Sequence, residues 1–554
     1  MGHVRIRARW VTALSCAIVV LVPSGAAAQS GTDQISSLNA TAIAERDPKV
    51  VAQEREHPGL TSRAEIEDGN WEVGFFDGDD QVALVIVDDV TGAVKESWTG
   101  HQATWSMARG YEGAFGRTLN APYVFIPLLA IFLIGLVDWR RLRRVANLDV
   151  LVLAGFAASH LFFNRGDIGV SVPLVYPVLA YLVARMLWVG FRGSGEGLRP
   201  VWPAAVLLVA ALALMGGRIA LNVVDSGVVD IGYASVVGAD KIADLEPLYG
   251  DFPEDISAGD TYGPVTYLAY VPFEQALPWG GAWADLSAAH GAAIVFDLAT
   301  FAGLILLGRR ARPGREGRKL SATLAFGWAA YPYAAYALAS NTNDTLVAAL
   351  LVGMLLVCAR PAARGAMVAL AVFAKLAPVV LAPMLGTLEG RRRPLVLYSA
   401  AFVAVGVVVM IPTVIDPGLP TFYERTVAYQ AERDSPFSIW GQAPSLEPLR
   451  YVLLAGVAAL AAGLALRPRP RSPAQVAALC AALLIGLQMT AQHWFYLYIV
   501  WFYPLVLFAI SAVSPRPDEG PAGSTPPGRT SRSQPPLPSP RRLRRQSRSE
   551  PASV

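Results

Sequence analysis

The sequence predicts a polytopic α-helical membrane protein with one small α+β domain outside the bilayer, and three observations support this. Of 554 residues, 54% are hydrophobic and only 16% charged, whereas an average soluble domain carries about 25% charged residues. Apolar runs of about 20 residues, enough at ~1.5 Å per residue to cross a ~30 Å hydrocarbon core, recur from Ala121 to Val513. The basic residues cluster between those runs, as the positive-inside rule requires. A net charge of +3 is too small to imply nucleic-acid binding. Of three cysteines, Cys16 lies in a targeting segment and Cys358 and Cys480 in apolar runs, so no disulfide framework or thiolate zinc site is implied.

Arg5, Arg7 and Arg9, the apolar run Trp10 to Val22, and Ala26-Ala27-Ala28 before Gln29 have the layout of a secretory signal peptide over residues 1–28. The alternative is a retained signal anchor, for which the run is short. Either exports the next segment. Residues 29–117 form a polar head: Leu38 to Glu56 reads as a helix, and Asn70 to Phe76, Val82 to Val87 and Ala93 to Trp98 read as strands. A helix and then a short meander ending in Val-Asp-Asp-Val-Thr-Gly-Ala-Val resembles the PepSY domain, which implies a binding or regulatory role. No paired acid, base or nucleophile stands in register there. Asp77, Asp79 and Asp80 around Gly78 suggest a hairpin turn before a calcium loop.

With the head outside, Pro122 to Val137 runs inward to Arg140, Arg141, Arg143 and Arg144. Leu148 to Phe163, Val170 to Trp188 and Trp202 to Val224 come next, the first three spans making an added module over residues 118–200. Asp225 to Asp285 is a long outer segment whose apolar stretch, Val265 to Leu277, is too short and Pro-rich to cross and is expected to lie in the interface. Leu286 to Leu307 exits at the densest internal basic cluster, Arg309 to Lys319, and Leu320 to Leu338 and Thr345 to Cys358 flank the turn Ser340 to Asp344. Ala366 to Leu385 has arginines on both sides and Lys375 at its centre, which predicts a re-entrant hairpin bent near Lys375 and Pro378, with a full crossing as the alternative. Leu395 to Val414, Leu449 to Leu466, Ala474 to Thr490 and Tyr496 to Val513 complete about eleven crossings. Residues 514–554, rich in Pro, Ser and Arg, form a cytoplasmic tail too polar to bury a core; its basic cluster can rest on anionic lipid or simply be solvated.

Outside the head, the dense polar and aromatic clusters fall on the outer side: Asp225 to Asp260, Asn341 to Asp344, Asp416 to Gln442, and Gln492 to Tyr496. Outer loops converging on a membrane bundle make a site where a lipid-linked substrate presents its head group while its tail stays in the bilayer.

Within residues 201–513, Asp230-Ile231-Gly232-Tyr233-Ala234, Gly238 and Glu246-Pro247-Leu248-Tyr249-Gly250 match the first outer-loop pattern of the GT-C glycosyltransferases. Asp260-Thr261-Tyr262-Gly263-Pro264-Val265-Thr266-Tyr267 and Asn343-Asp344 before an apolar run resemble the same superfamily, and the polyprenyl-phosphate-mannose-dependent mannosyltransferases of actinobacteria within it. The first three spans and the head depart from its minimal pattern. The resemblance implies a polyprenyl-phosphate sugar as donor, a glycan or glycolipid acceptor and an inverting reaction at the plasma membrane; nothing in the sequence demands a metal or other cofactor, although an outer-loop acidic pair could bind a metal. It places the general base at Asp230, with Asp225 as substitute, and makes Tyr233, Tyr249, Asp260, Tyr262, Asn343 and Asp344 candidates for substrate contact. A sugar hydroxyl is a poor nucleophile until a base takes its proton, and a partly desolvated carboxylate suits that task. A helix-terminal cap or a solvated loop acid is the plain reading of the same aspartate.

The leaving phosphate needs a cation or donor set. Arg218, Lys241, Arg425, Arg433 and His493 lie on the outer side, although either arginine of the 416–442 loop can instead pair with an acidic neighbour. Trp440 and Gln442 can stack on and hydrogen-bond a sugar, or anchor the interface with the aromatic belt around His493. Asp297 and Lys375 are charges inside the bilayer, read as a structural pair or a lysine held at a bend before a substrate site. Walker loops, dinucleotide fingerprints, His-rich metal clusters and Ser/His/Asp arrangements are missing from the sequence. Two rivals of other classes stand beside the transferase: a flippase or transporter for a lipid-linked sugar, which requires midplane charges lining a path, and a PepSY-bearing sensor or scaffold, for which the outer acids are expendable. Oligomeric state is not encoded in any motif.

Overall fold

The computed structural model describes residues 35–512 except positions 68, 111–115, 194, 196, 284–285, 434 and 468–470. The leader at 1–28 and the tail at 514–554 lie outside the described residues. The chain divides into two compact units, Met1–Ser106 and Met107–Val554. The first closes at Ser106, ahead of the Arg117 boundary read from composition. The cause is local: a Cβ on Gly116 would meet the Tyr336 ring at 2.8 Å, and Asn120 exchanges 3.1 Å hydrogen bonds with Asn164, so this turn packs into the second unit.

In the first unit the single expected helix is two, α1 (Ser37–Ala44) and α2 (Pro48–Glu56). Asp47 accepts from the Lys49 N–H at 2.9 Å and Pro48 sits in the first turn, so a new N-terminus starts where one continuous helix was expected. Four strands, β1 (Thr61–Glu67), β2 (Asn70–Asp77), β3 (Asp80–Asp88) and β4 (Val94–Thr99), form an antiparallel meander in sequence order. β1 escapes the sequence pattern because it is an edge strand, polar and almost wholly exposed. Val73, Phe75, Ala83, Val85 and Val87 bury one sheet face against Ala40, Ala44 and Val50. Gly78, at φ +64°, makes the two-residue turn between paired Asp77 and Asp80, so those carboxylates belong to a hairpin.

The second unit is a multi-pass helical bundle. Among the described residues six helices have the length and composition to cross a membrane: Val145–Phe163, Ile168–Arg192, Ala204–Val224, Ser287–Ala311, Arg392–Ile415 and Pro444–Leu466. Pro122–Leu136, Asp344–Leu356, Pro361–Ala374, Pro473–Gln488 and Tyr496–Ser511 are shorter apolar helices. The expected span Leu320 to Leu338 is two helices, Gly314–Ala330 and Pro332–Ala339, because Pro332 supplies no N–H and forces Tyr331 into an extended conformation. Helix Pro473–Gln488 is buried along nearly its whole length, while Pro444–Leu466 has only 11% of its apolar window buried. An apolar helix so little covered by protein faces lipid.

The segment with arginines on both flanks folds back on itself. Helix Pro361–Ala374 breaks at Lys375 and returns through the short turns Ala377–Leu381 and Ala382–Gly386. Arg364 near its start makes a two-pronged pair with Glu389 beyond its end, at 2.8 and 2.7 Å. Lys375 therefore stands at the tip of a hairpin clamped at its base.

Helix direction separates two ends of the bundle. Asp344–Leu356 begins at the tip of this hairpin and ends where Arg310 donates to the Leu356 carbonyl at 3.2 Å. Ile499–Ser511 begins beside Tyr498 and ends where Arg312 donates to the Ser511 carbonyl at 3.1 Å. The densest basic cluster and the Asp344 end are thus opposite poles of the same helices.

Candidate functional site

At the pole away from the Arg309 to Lys319 cluster, the segment Asp225 to Asp285 forms two helices, Asp230–Ala243 and Pro264–Ala276, the second covering the apolar stretch expected to lie in the interface. Two glycines set how closely they approach the bundle. A Cβ at Gly232 would lie 2.4 Å from the Asn341 carbonyl oxygen, and one at Gly263 would lie 2.1 Å from the Phe373 carbonyl oxygen. The first contact brings Asp230 to the Asn341–Asp344 turn; the second brings Tyr262 to the hairpin tip. Thr266 Oγ1 donates to the Ala374 carbonyl at 2.7 Å, fastening the tip from the same helix. Asn222 donates to Leu338 O and Asn341 Oδ1 at 2.7 and 2.8 Å, and Asn341 donates to Gly227 O at 2.8 Å, which fixes the turn.

Asp230 is the first residue of its helix and accepts from the Ile231 N–H at 2.8 Å, so the cap-like reading is part of the truth. Its side chain is nevertheless open to solvent, while protein crowds it so closely that lost hydration pushes its carboxyl above the usual Asp range. The two observations fit a recess that solvent reaches from one side. Arg433 and Lys375 oppose that rise and Asp344 adds to it, so two cations and a second carboxylate lie within electrostatic reach of Asp230. Burial and the charge of Asp230 hold the Tyr262 phenol well above its ordinary range, leaving a neutral hydroxyl on the wall.

Asp344 is fully buried and paired with Lys375, which is 7% exposed. Trp501 Nε1 donates to Asp344 Oδ1 at 2.8 Å, and the Thr342 hydroxyl donates to Oδ2. The ammonium lies over three rings, 5.2 Å from Tyr262, 5.2 Å from Trp501 and 5.8 Å from Tyr498. Asn343 donates to Ser235 Oγ at 3.1 Å beneath this group, and its Oδ1 has no partner among the described residues.

Several expected contacts serve the scaffold instead. Arg218 points into the bundle, where Asp297 takes its fork, with Nε to Oδ2 at 3.1 Å, and Trp328 Nε1 donates to the same carboxylate at 2.9 Å; it is no phosphate ligand. This pair also removes Asp297 from any path across the midplane. Asp260 and Arg425 pair with each other at 2.7 and 2.6 Å, and Asp260 also accepts from the Gly250 N–H at 2.7 Å, tying the 416–442 loop to the first outer loop. Lys241 donates to the Asp251 carbonyl at 2.8 Å. Tyr233 donates to Asp255 and packs on Trp283, while Tyr249 donates to the Tyr262 carbonyl at 2.9 Å; both are buried. Trp440 donates to the Met489 carbonyl at 3.0 Å, and the Gln442 amide nitrogen to the Ile168 and Pro436 carbonyls at 2.9 Å, so both side chains are tied to the backbone.

His493 bonds Ser435 Oγ at 2.8 Å, and burial, then Arg433, hold it well below its usual range. It is a neutral donor or acceptor and no cation. Asp225 caps the end of helix Ala204–Val224. Reasoning from sequence thus singled out Asp230, Tyr262, Asp344 and Arg433, which the fold brings together, and set aside Lys375, which it places among them. An ionisable group inside an apolar run was the available signal.

Residues 261–492 match the family model of glycosyltransferase family 87. Asp344, Lys375 and Arg433 fall within the match, and Asp230 precedes it. No curated protein matches the chain. Among solved structures, the chain is similar to ArnT from Cupriavidus metallidurans, crystallised bound to undecaprenyl phosphate, with 14% identity and a TM-score of 0.38. The similarity covers 55% of this chain and 59% of that one, so the chain spans less than two thirds of that protein's length.

Proposed function

We propose that this protein is an integral membrane glycosyltransferase that moves a sugar, with mannose the first candidate, from a polyprenyl monophosphate to a glycan or glycolipid acceptor on the extracytoplasmic face of the plasma membrane. The observation that carries the reading is a solvent-reached carboxylate, Asp230, facing two cations at the pole opposite the arginines, beside a segment matching a glycosyltransferase family. The positive-inside rule puts that pole outside.

In the proposed reaction Asp230 takes the acceptor hydroxyl proton as the acceptor oxygen bonds to the anomeric carbon. The carbon–oxygen bond to phosphate breaks with its electron pair leaving on the phosphate, and the anomeric centre inverts. A carboxyl held above its usual range by desolvation is a stronger base than a solvated one. The cations supply the charge that the departing phosphate needs, so the reaction as proposed proceeds without a metal. The first unit, with its helix pair and four-stranded meander, is assigned as a PepSY-like extracytoplasmic binding or regulatory module, and the tail is assigned to the cytoplasm.

Purified protein given a labelled polyprenyl-phosphate mannose and a glycan acceptor tests this. Transfer should occur, and Asp230→Asn should reduce kcat by roughly 100-fold or more, the range for a general base, with unchanged folding. Undiminished transfer by the variant removes Asp230 from the mechanism.

A further inference from the structure

Lys375 is an expensive residue in its position. Burying an ammonium costs several kcal/mol after relaxation, and an apolar residue of similar volume often serves packing as well or better. The Arg218–Asp297 pair offsets its own cost: the carboxylate receives the guanidinium fork and the Trp328 N–H, while the guanidinium also reaches the Trp328 and Ala329 carbonyls. Lys375 is served differently. Among the described residues Asp344 is the one hydrogen-bond acceptor that its three N–H groups meet, and aromatic faces take the remainder. Those rings include Tyr262, which lines the recess of Asp230, and the charge of Lys375 is felt at Asp230 itself.

The charge count in the recess points the same way. Among the described groups that act on Asp230, Asp344 and Asp230 itself balance Lys375 and Arg433, so against this set a donor phosphodiester brings one uncompensated negative charge. Transfer leaves that total unchanged, since Asp230 gains a proton while the phosphate gains a charge, but it concentrates negative charge on the leaving phosphate. A cation carrying unspent N–H donors is suited to receive it.

We infer that Lys375 binds the phosphate of the isoprenyl-linked donor, and that Asp344 is its resident counter-ion, holding the ammonium at the hairpin tip until the phosphate competes for it. This deepens the transferase reading and rests on it for the identity of the donor. Lys375 would touch the substrate; Asp344 acts through Lys375 and is a positioning residue.

The two partners therefore have opposite effects on ligand affinity, which a purely structural ion pair does not produce. Binding of a short-chain isoprenyl phosphate to the full-length protein in detergent is measured with the uncharged isoprenol and inorganic phosphate in parallel. Lys375→Met should weaken isoprenyl phosphate binding at least tenfold, Lys375→Arg should restore part of it, and Asp344→Asn should tighten it severalfold, with isoprenol unaffected throughout. Inorganic phosphate should compete weakly in the wild type and lose that competition in Lys375→Met. Should either single variant fail to fold, the charge-neutral double variant Lys375→Met/Asp344→Asn retains the balance and should still bind the isoprenyl phosphate weakly. Wild-type affinity in that double variant, single variants that shift affinity in the same direction, or an equal shift for isoprenol overturns the inference. Asp230→Asn should lose transfer while still binding the probe, at wild-type affinity or tighter because a negative charge is removed, so loss of the base assignment and loss of the phosphate assignment read out separately.

Discussion

Two of the buried ion pairs in the bundle, Arg218–Asp297 and Lys375–Asp344, differ in what surrounds them. The first is closed: two backbone carbonyls and an indole N–H take up much of the remaining hydrogen-bonding capacity, and the residues that supply them, Trp328 and Ala329, are buried. The second is capped by aromatic faces and shares an electrostatic neighbourhood with an exposed carboxylate. Burial alone does not distinguish structure from chemistry in a membrane bundle. The distinction lies in whether a pair's hydrogen-bonding capacity is already spent.

The largest effect should come from opening the closed pair. Arg218→Leu leaves Asp297 buried and unpaired, with an expected loss of about 3–5 kcal/mol in stability, whereas the double variant Arg218→Leu/Asp297→Leu should recover most of it. Thermal unfolding in detergent measures both; a mild single variant would erase the contrast between the two pairs. Next, Gly263→Ala drives a methyl into the Phe373 carbonyl at the hairpin tip and should cost about 1–3 kcal/mol. If the tip positions Lys375, this variant should also raise the KM for the lipid donor, a change that Arg218→Leu should not cause in its folded fraction.

A smaller effect concerns pH. Lost hydration raises the Asp230 carboxyl, and Arg433 restrains that rise. Activity should fall as pH drops through the raised pKa, because the base becomes protonated. Arg433→Gln removes a restraining cation, so the acid limb of kcat/KM should move to higher pH. A limb that stays in place separates Arg433 from the recess. The smallest effect is expected at an exposed pair that shares neither character. Asp88 in the first unit accepts from Lys95 and from the Thr91 N–H and hydroxyl, which hold its carboxyl below the usual range. Its contribution is present above the ordinary Asp pKa and lost as pH falls through the lowered one. Asp88→Asn should therefore lower the melting temperature slightly at neutral pH and not at all in strong acid.

Much of the architecture was legible from hydropathy because lipid-facing and core helices are apolar over long runs, and the arginine clusters mark one pole. The two outer helices were less so. Asp230–Ala243 carries Gly232 and Gly238, which lower helix propensity, and only the finished packing explains them. At the site, Asp230, Tyr262, Asp344 and Arg433 were readable as polar residues in outer loops. The employment of Asp260 by Arg425, and of Trp440 and Gln442 by backbone carbonyls, was hidden because partners distant in sequence decide it. Lys375 was the reverse case, a charge whose neighbours make it more than a buried anchor.

The base clamp between Arg364 and Glu389 has a consequence for how the protein is threaded. A segment whose two ends meet on one face adds nothing to the parity of crossings, so Arg360 and Gly390 report from the same compartment. Short epitopes inserted at those two turns should be protected or accessible together, and every later loop inherits its side from that shared doorway.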